Sequence, residues 1–156
     1  MSKQILKGLT MVAVVLTIAL VNAAVSNGQG RRSLQAEIPF AFTVGSSTLP
    51  AGSYTVRSAN SQGEVLMISN RGQRKSIATL SHEVTDSDNN KACLVFHRYG
   101  DQYFLAQVWT GQPMGRELQK SKRQRAIERE LANIASKADF AASGYDVIRV
   151  VAVLQK

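Results

Sequence analysis

The sequence has 156 residues and a net charge of +8, with 19 lysines and arginines against 11 aspartates and glutamates. Without a leader, this length is typical of one domain, which can bury about two-thirds of its surface without disulfides. One cysteine and two histidines exclude an internal disulfide and provide no paired spacing for a zinc site. We therefore predict no metal and no cofactor.

Residues 1–23 are predicted to be a secretory signal peptide. Lys3 and Lys7 precede an apolar run at residues 9–21, and small residues follow. Cleavage is expected after Ala23, and Ala24 and Ser26 offer a second choice of small residues before a cut. The run is shorter than the ~20 residues of a membrane-spanning helix, although an uncleaved membrane tether is the alternative. We expect export to the periplasm or the extracellular space.

The rest of the chain is predicted to be a flexible linker, residues 24–34, followed by a single β-rich domain, residues 35–156. The domain begins with a two-residue periodicity that places Ile38, Phe40 and other apolar residues on one face. Pro39 lacks a backbone donor, which predicts an edge position for this strand. The inward face is formed by Ile38, Phe40, Phe42 and Val44.

More apolar segments follow at spacings of about ten residues, separated by turns rich in Gly, Asn, Asp and Ser. The last of these segments, residues 145–156, is rich in β-branched residues and is expected to pair within the main sheet. The pattern predicts a mainly β fold, an antiparallel β-sandwich or partly open barrel of about seven short strands. One amphipathic helix is expected before the C-terminal strand.

The stretch LVFHRYGDQYFLAQVW, residues 94–109, is predicted to be a hairpin and not a catalytic cluster. It places His97, Arg98, Tyr99 and Asp101 within five positions. Strand alternation puts His97 and Tyr99 on one face and Arg98 on the other, so these groups do not all converge. The residues after Tyr99 suit a tight turn.

The same alternation predicts which residues share a face on the returning strand. These residues are Tyr103, Leu105, Gln107 and Trp109. Cys93 lies in an apolar run on the first strand, so we predict a buried and unreactive thiol.

An amphipathic helix is predicted from about Lys122 to Ala138. Ser121 and Gln124 have the spacing of a capping box at its start. An apolar stripe with helical periodicity supports the assignment. The stripe consists of Ile127, Leu131, Ile134 and Ala138.

A cluster of cations surrounds the start of this helix. The pattern by itself favours a solvated helix face, partly neutralised by Glu128 and Glu130. The alternative is a surface for an anionic partner, because cations at a helix N-terminus oppose the helix dipole and a bound anion would offset this. The candidate binding residues are Arg116, Lys120, Lys122, Arg123, Arg125 and Arg129.

Three segments together resemble a group of small exported proteins from acidobacterial-type soil bacteria. The segments are IPFAFTVGSSTLPAGSYTV, LVFHRYGDQYFLAQVW and GRELQKSKRQRAIERE, and the resemblance extends from about Glu37 to about Glu130. It implies export and a β-rich fold. It provides no catalytic residues to transfer.

The sequence therefore predicts an exported, non-enzymatic binding or assembly protein of the cell envelope or extracellular space. The expected partner is an anionic envelope component or a protein, and export argues against a routine role with nucleic acid. The alternative is a small secreted hydrolase-like enzyme with His97 or His82 as its base. The sequence does not determine the oligomeric state.

Overall fold

The computed structural model describes residues 32–87, 90–135 and 144–155. This part of the chain is mainly β, with a single helix, α1 (Lys122–Ala135). The strands are β1 (Ser33–Ile38), β2 (Phe42–Val44), β3 (Ser47–Leu49), β4 (Gly52–Ser58), β5 (Val65–Asn70), β6 (Ser76–Thr85), β7 (Ala92–Tyr99), β8 (Gln102–Thr110), β9 (Met114–Leu118), β10 (Asp146–Val151) and β11 (Val153–Gln155).

The strands form one mostly antiparallel ladder that folds into two layers. Its order is β10-β7-β8-β9-β6-β5-β4-β1-β11, and β2 pairs with β3 and with β8. β6 pairs with β5 through residues 76–80 and with β9 through residues 81–85. This long strand therefore passes from one layer into the other.

The C-terminal segment also crosses between the layers. β10 pairs with β7 at one end of the ladder, and β11 pairs with β1 at the other end. Between them, Ala152 is buried in the core, and its backbone nitrogen donates to the Ala92 oxygen at 3.0 Å. Within the described residues no ladder joins β10 to β11. The predicted fold class, a mainly β antiparallel sandwich or partly open barrel with one helix before the last strands, is confirmed.

A core of aromatic and aliphatic side chains fills the space between the layers. Phe42 makes edge-on contacts with Tyr54 and Phe96, with ring centroids 5.0 and 5.4 Å apart. The buried Tyr54 hydroxyl donates to the Pro50 oxygen at 2.7 Å, which satisfies its polar atom. The predicted inward face is confirmed, since Phe40 packs against this core and its three partners are fully buried.

Eleven strands are present among the described residues, against about seven predicted. Pro39 separates β1 from β2 instead of marking an edge strand, and β1 lies between β4 and β11. The edge prediction is therefore wrong, because Pro39 lies outside the paired residues. The sheet also includes Ser33 and Leu34, which the sequence predicts to be part of the linker.

A β-bulge changes the faces of β8. Val95 pairs with Gln107 while Phe96 pairs with Leu105, which leaves Ala106 as an extra residue. The predicted shared face of this strand is therefore wrong. Leu105 and Tyr103 face the main core, whereas Trp109 packs with Cys93 and Val95 on the outer face of the layer.

Helix α1 begins at Lys122, as predicted, and Ser121 Oγ accepts a hydrogen bond from the Gln124 nitrogen at 3.0 Å. The predicted helix residues 136–138 lie outside the described residues, as does the predicted signal peptide. Ile127 and Leu131 are partly buried. Ile134 is 58% exposed, so fewer residues of the predicted apolar stripe are buried than its pattern suggests.

No helix in the described ranges has both the length and the apolar composition needed to cross a membrane.

Candidate functional site

The start of α1 is joined to the β7–β8 hairpin by a polar cluster, which we call the Tyr99 network. The Tyr99 hydroxyl donates to Glu128 Oε1 at 2.5 Å, and Gln124 Nε2 donates to the Tyr99 oxygen at 3.3 Å. Lys120 Nζ donates to both Glu128 oxygens at 2.8 and 3.0 Å. Tyr99 and Gln124 are buried. The network consists of Tyr99, Lys120, Gln124 and Glu128.

The Tyr99 network favours a neutral phenol and an ionised carboxylate. Burial raises the pKa of Tyr99, and its hydrogen bond to Glu128 raises that pKa further. Burial also raises the pKa of Glu128, but hydrogen bonds from Lys120 and Tyr99 outweigh this effect and lower it below the ordinary value of 4.5. The cluster is therefore a charge-assisted contact between helix and hairpin, not an acid–base pair titrating near neutral pH.

The polar groups of the hairpin do not converge, as predicted. His97 stacks on Tyr145 with ring centroids 4.1 Å apart, whereas Arg98 pairs with Asp146 at 3.2 Å. Tyr99 bonds to α1, and Asp101 is exposed in the turn. His97 and Tyr99 share a contact with the Tyr145 ring, whereas Arg98 and Asp101 take no part in it, so the four groups do not form one cluster.

Neither histidine has the surroundings of a general base. Burial lowers the pKa of His97 below 6.5, and the charge of Lys120 lowers it further. Its Nδ1 has no hydrogen-bond partner in the described part of the chain, so no acceptor there fixes the tautomer of the ring. His82 is exposed on β6. Neither residue lines any of three surface cavities, whose volumes are about 350, 360 and 620 Å³.

The six predicted cations do not all lie together. Four of them line the cavity of about 620 Å³, a groove beside the start of α1 that we call the basic groove. The hydroxyl-bearing residues Ser46 and Thr79 lie on its other walls. No acidic residue of the described chain lines the groove. Its cations are Lys120, Lys122, Arg123 and Arg125.

Three of these cations are available to a ligand. Lys122, Arg123 and Arg125 are exposed and form no ion pair within the described ranges, whereas Lys120 is held by Glu128. The first turn of α1 contains no acidic residue. The positive end of the helix dipole therefore adds to the charge of the side chains, and the groove attracts anions.

The two remaining predicted residues lie elsewhere. Arg116, on β9, donates a hydrogen bond to the Gln62 oxygen, lies 3.8 Å from Glu83, and lines a different cavity. Arg129 is exposed on α1 and does not line the basic groove. Sequence proximity to the helix grouped them with the others, but the pairing of β9 with β6 directs Arg116 away.

Sequence reasoning missed Ser46, Thr79 and the Tyr99–Glu128 contact. Ser46 lies in the β2–β3 turn and Thr79 on β6, so only the tertiary fold brings them to the start of α1. Tyr99 and Glu128 are 29 residues apart. No local pattern in the sequence relates such distant positions, whereas the helix cap at Ser121 was visible because its spacing is local.

The remaining reactive groups do not form a metal or thiol site. No three His, Cys, Asp or Glu side chains lie close enough to hold a metal ion in residues 32–87, 90–135 and 144–155. Cys93 is buried as predicted, and burial raises the pKa of its thiol. A raised pKa disfavours the reactive thiolate.

Comparison of the chain with models of protein families, with curated proteins and with solved structures finds no match. What the protein binds is therefore inferred from its own side chains.

Proposed function

We propose that the protein is an exported, non-enzymatic binding module that engages an anionic envelope component or protein partner through the basic groove. The observation that carries the proposal is the set of exposed cations around a helix N-terminus with no acidic residue among the described lining residues. The N-terminal segment and the resemblance to exported proteins support the location.

The cations oppose the stability of the helix on which they lie. Each positive charge in the first turn of a helix costs roughly 0.3–1 kcal/mol, so Lys122, Arg123 and Arg125 together cost about 1–3 kcal/mol. A bound anion removes this repulsion and uses the unsatisfied N–H groups of the first turn. A binding role therefore explains a sequence that helix stability alone disfavours.

The groove is also held in place before a ligand arrives. Lys120 and Glu128 connect the segment before α1 to the helix, and Tyr99 fixes both to the hairpin. The other walls are strand and turn residues of the barrel. Binding to groups that are already ordered costs less entropy than binding to mobile ones.

The test is the double variant Arg123→Glu/Arg125→Glu, measured by retention of the whole chain on phosphocellulose as salt rises. Wild type is expected to be retained at low salt and released at moderate salt, because exposed charges are screened. The variant is expected to pass through unretained. Its thermal stability should stay the same or rise, since glutamates near a helix N-terminus favour the dipole.

The matched control is Arg71→Glu/Arg149→Glu, which changes the net charge by the same amount at exposed positions outside the groove. This variant should keep most of the retention of wild type. Equal loss of retention in both variants would show that retention depends on net charge alone, and would overturn the proposal that the basic groove is the binding site. Unchanged retention of the Arg123→Glu/Arg125→Glu variant would also exclude the basic groove as the binding site.

A further inference from the structure

A separate cavity lies between the two layers of the barrel, and we call it the inter-sheet cavity. Its volume is about 360 Å³, within the ~300–1,000 Å³ range of small-molecule sites. Leu66 of β5 and Val108 of β8 line it, and both belong to the main core. The cavity therefore reaches apolar side chains that are otherwise closed to solvent.

Three arginines and one glutamate line the same cavity. Arg116 lies near Glu83, whereas Arg32 and Arg57 form no ion pair within the described part of the chain. The lining therefore combines an excess of positive charge with an apolar wall.

Arg116 is fixed in position by the β4–β5 loop. Its guanidinium donates to the Gln62 oxygen, and Gly63 beside it has a φ of 74°. A β-carbon at Gly63 would overlap the Arg116 guanidinium. The glycine thus gives this arginine room to lie across the loop at the edge of the cavity.

We propose that the inter-sheet cavity binds a small amphiphilic carboxylate, a carboxyl group attached to a hydrocarbon chain. Guanidinium groups match a carboxylate through paired hydrogen bonds, and Leu66 and Val108 provide a surface for the chain. A purely inorganic anion uses only the arginines, and a neutral lipid uses only the apolar wall. The cavity shares no lining residue with the basic groove, so this inference does not rest on the proposed function.

The first test titrates the whole chain with hexanoate, octanoate and decanoate by isothermal calorimetry. Affinity should rise about twofold to fourfold for each added methylene, as expected when the chain is partly buried. Decanol and sulfate serve as probes that lack the charge or the chain, and both should bind at least about tenfold more weakly than decanoate. Decanol binding as tightly as decanoate, sulfate binding as tightly, or no decanoate binding would each overturn the proposal.

The second test locates the site with Arg57→Gln. Decanoate affinity should fall about tenfold or more, because a charge-assisted hydrogen bond is lost. Arg149→Gln, an exposed strand position on β10, makes the same chemical change outside the cavity and should bind like wild type. Melting temperatures without ligand show whether Arg57→Gln is folded. A folded Arg57→Gln variant that binds decanoate with wild-type affinity would exclude the inter-sheet cavity as the binding site.

Discussion

In the loop between β4 and β5, a single glycine determines where an arginine side chain lies. Gly63 is in the left-handed region of backbone space, where residues with a β-carbon are strained. Its carbonyl accepts a hydrogen bond from the buried Ser81 hydroxyl at 3.0 Å. The Arg116 guanidinium occupies the space that a side chain would fill. The loop, β6 and β9 are therefore joined at one residue.

Gly63→Ala is expected to cost about 2–3 kcal/mol of unfolding free energy. Backbone strain contributes roughly 1–2 kcal/mol, and displacement of Arg116 from the Gln62 oxygen contributes about 1 kcal/mol. Gly45→Ala is the matched control, because Gly45 has a φ of 58° and a β-carbon there would meet no atom of the described chain within 4 Å. The Gly45→Ala variant should lose only the part of the unfolding free energy that comes from backbone strain. Urea denaturation measures both, and equal losses would show that Arg116 contributes nothing.

At the scale of elements, helix α1 is positioned by contacts that only partly follow from its sequence. The cap at Ser121 was predicted and is present. In a full capping box the Gln124 side chain would return to the cap, but here it donates to Tyr99. Tyr99 lies 25 residues earlier in the chain. Local spacing predicts where a helix starts, whereas tertiary contacts decide how its buried polar side chains are satisfied.

Glu128→Gln tests the contact between helix and hairpin. The folded-state pKa of Glu128 lies below 4.5, so its charge contributes stability fully above that pH and loses it as the pH falls through the folded-state pKa. We expect the variant to be about 1 kcal/mol less stable at pH 7, since Lys120 is partly exposed. The difference from wild type should shrink toward zero in acid.

Urea denaturation across pH measures this difference. Glu130→Gln is the control, because Glu130 is an exposed neighbour on the same helix and its replacement should change stability by less than about 0.5 kcal/mol. A pH-independent difference for Glu128→Gln would mean that the carboxylate charge does not hold the helix.

The strands show the same division between local and tertiary control. Apolar runs between turn residues identified β4 to β8. The buried residues of β4 and β5 alternate with period two, whereas β7 buries four consecutive residues. β9 was missed, since its residues MGREL lack this pattern and it forms by pairing with β6 and β8 on either side. The bulge at Ala106 was invisible too, because nothing in its local sequence distinguishes an extra residue from a regular one.

Across the described β domain, one strand and one connecting segment make the two layers one unit. β6 carries the ladder from one layer to the other in the middle of the chain, and the segment around Ala152 does so at its end. β11 pairs Gln155 with Ser33, so the last pairing joins the two ends of the domain. The core includes residues from both layers. Separate unfolding of either layer would expose that core.

Ala152→Leu tests whether the segment around Ala152, between β10 and β11, couples the two layers. The added side-chain volume at a buried position should cost about 1–3 kcal/mol through overpacking. Val153→Leu, at an exposed neighbour, should stay within about 0.5 kcal/mol of wild type.

Trp109 is the single tryptophan of the sequence and is buried on β8, so its fluorescence follows one layer while far-ultraviolet circular dichroism follows both. The two urea transitions should coincide in wild type and shift together in Ala152→Leu. If they separate, the layers unfold independently and the C-terminal segment does not couple them.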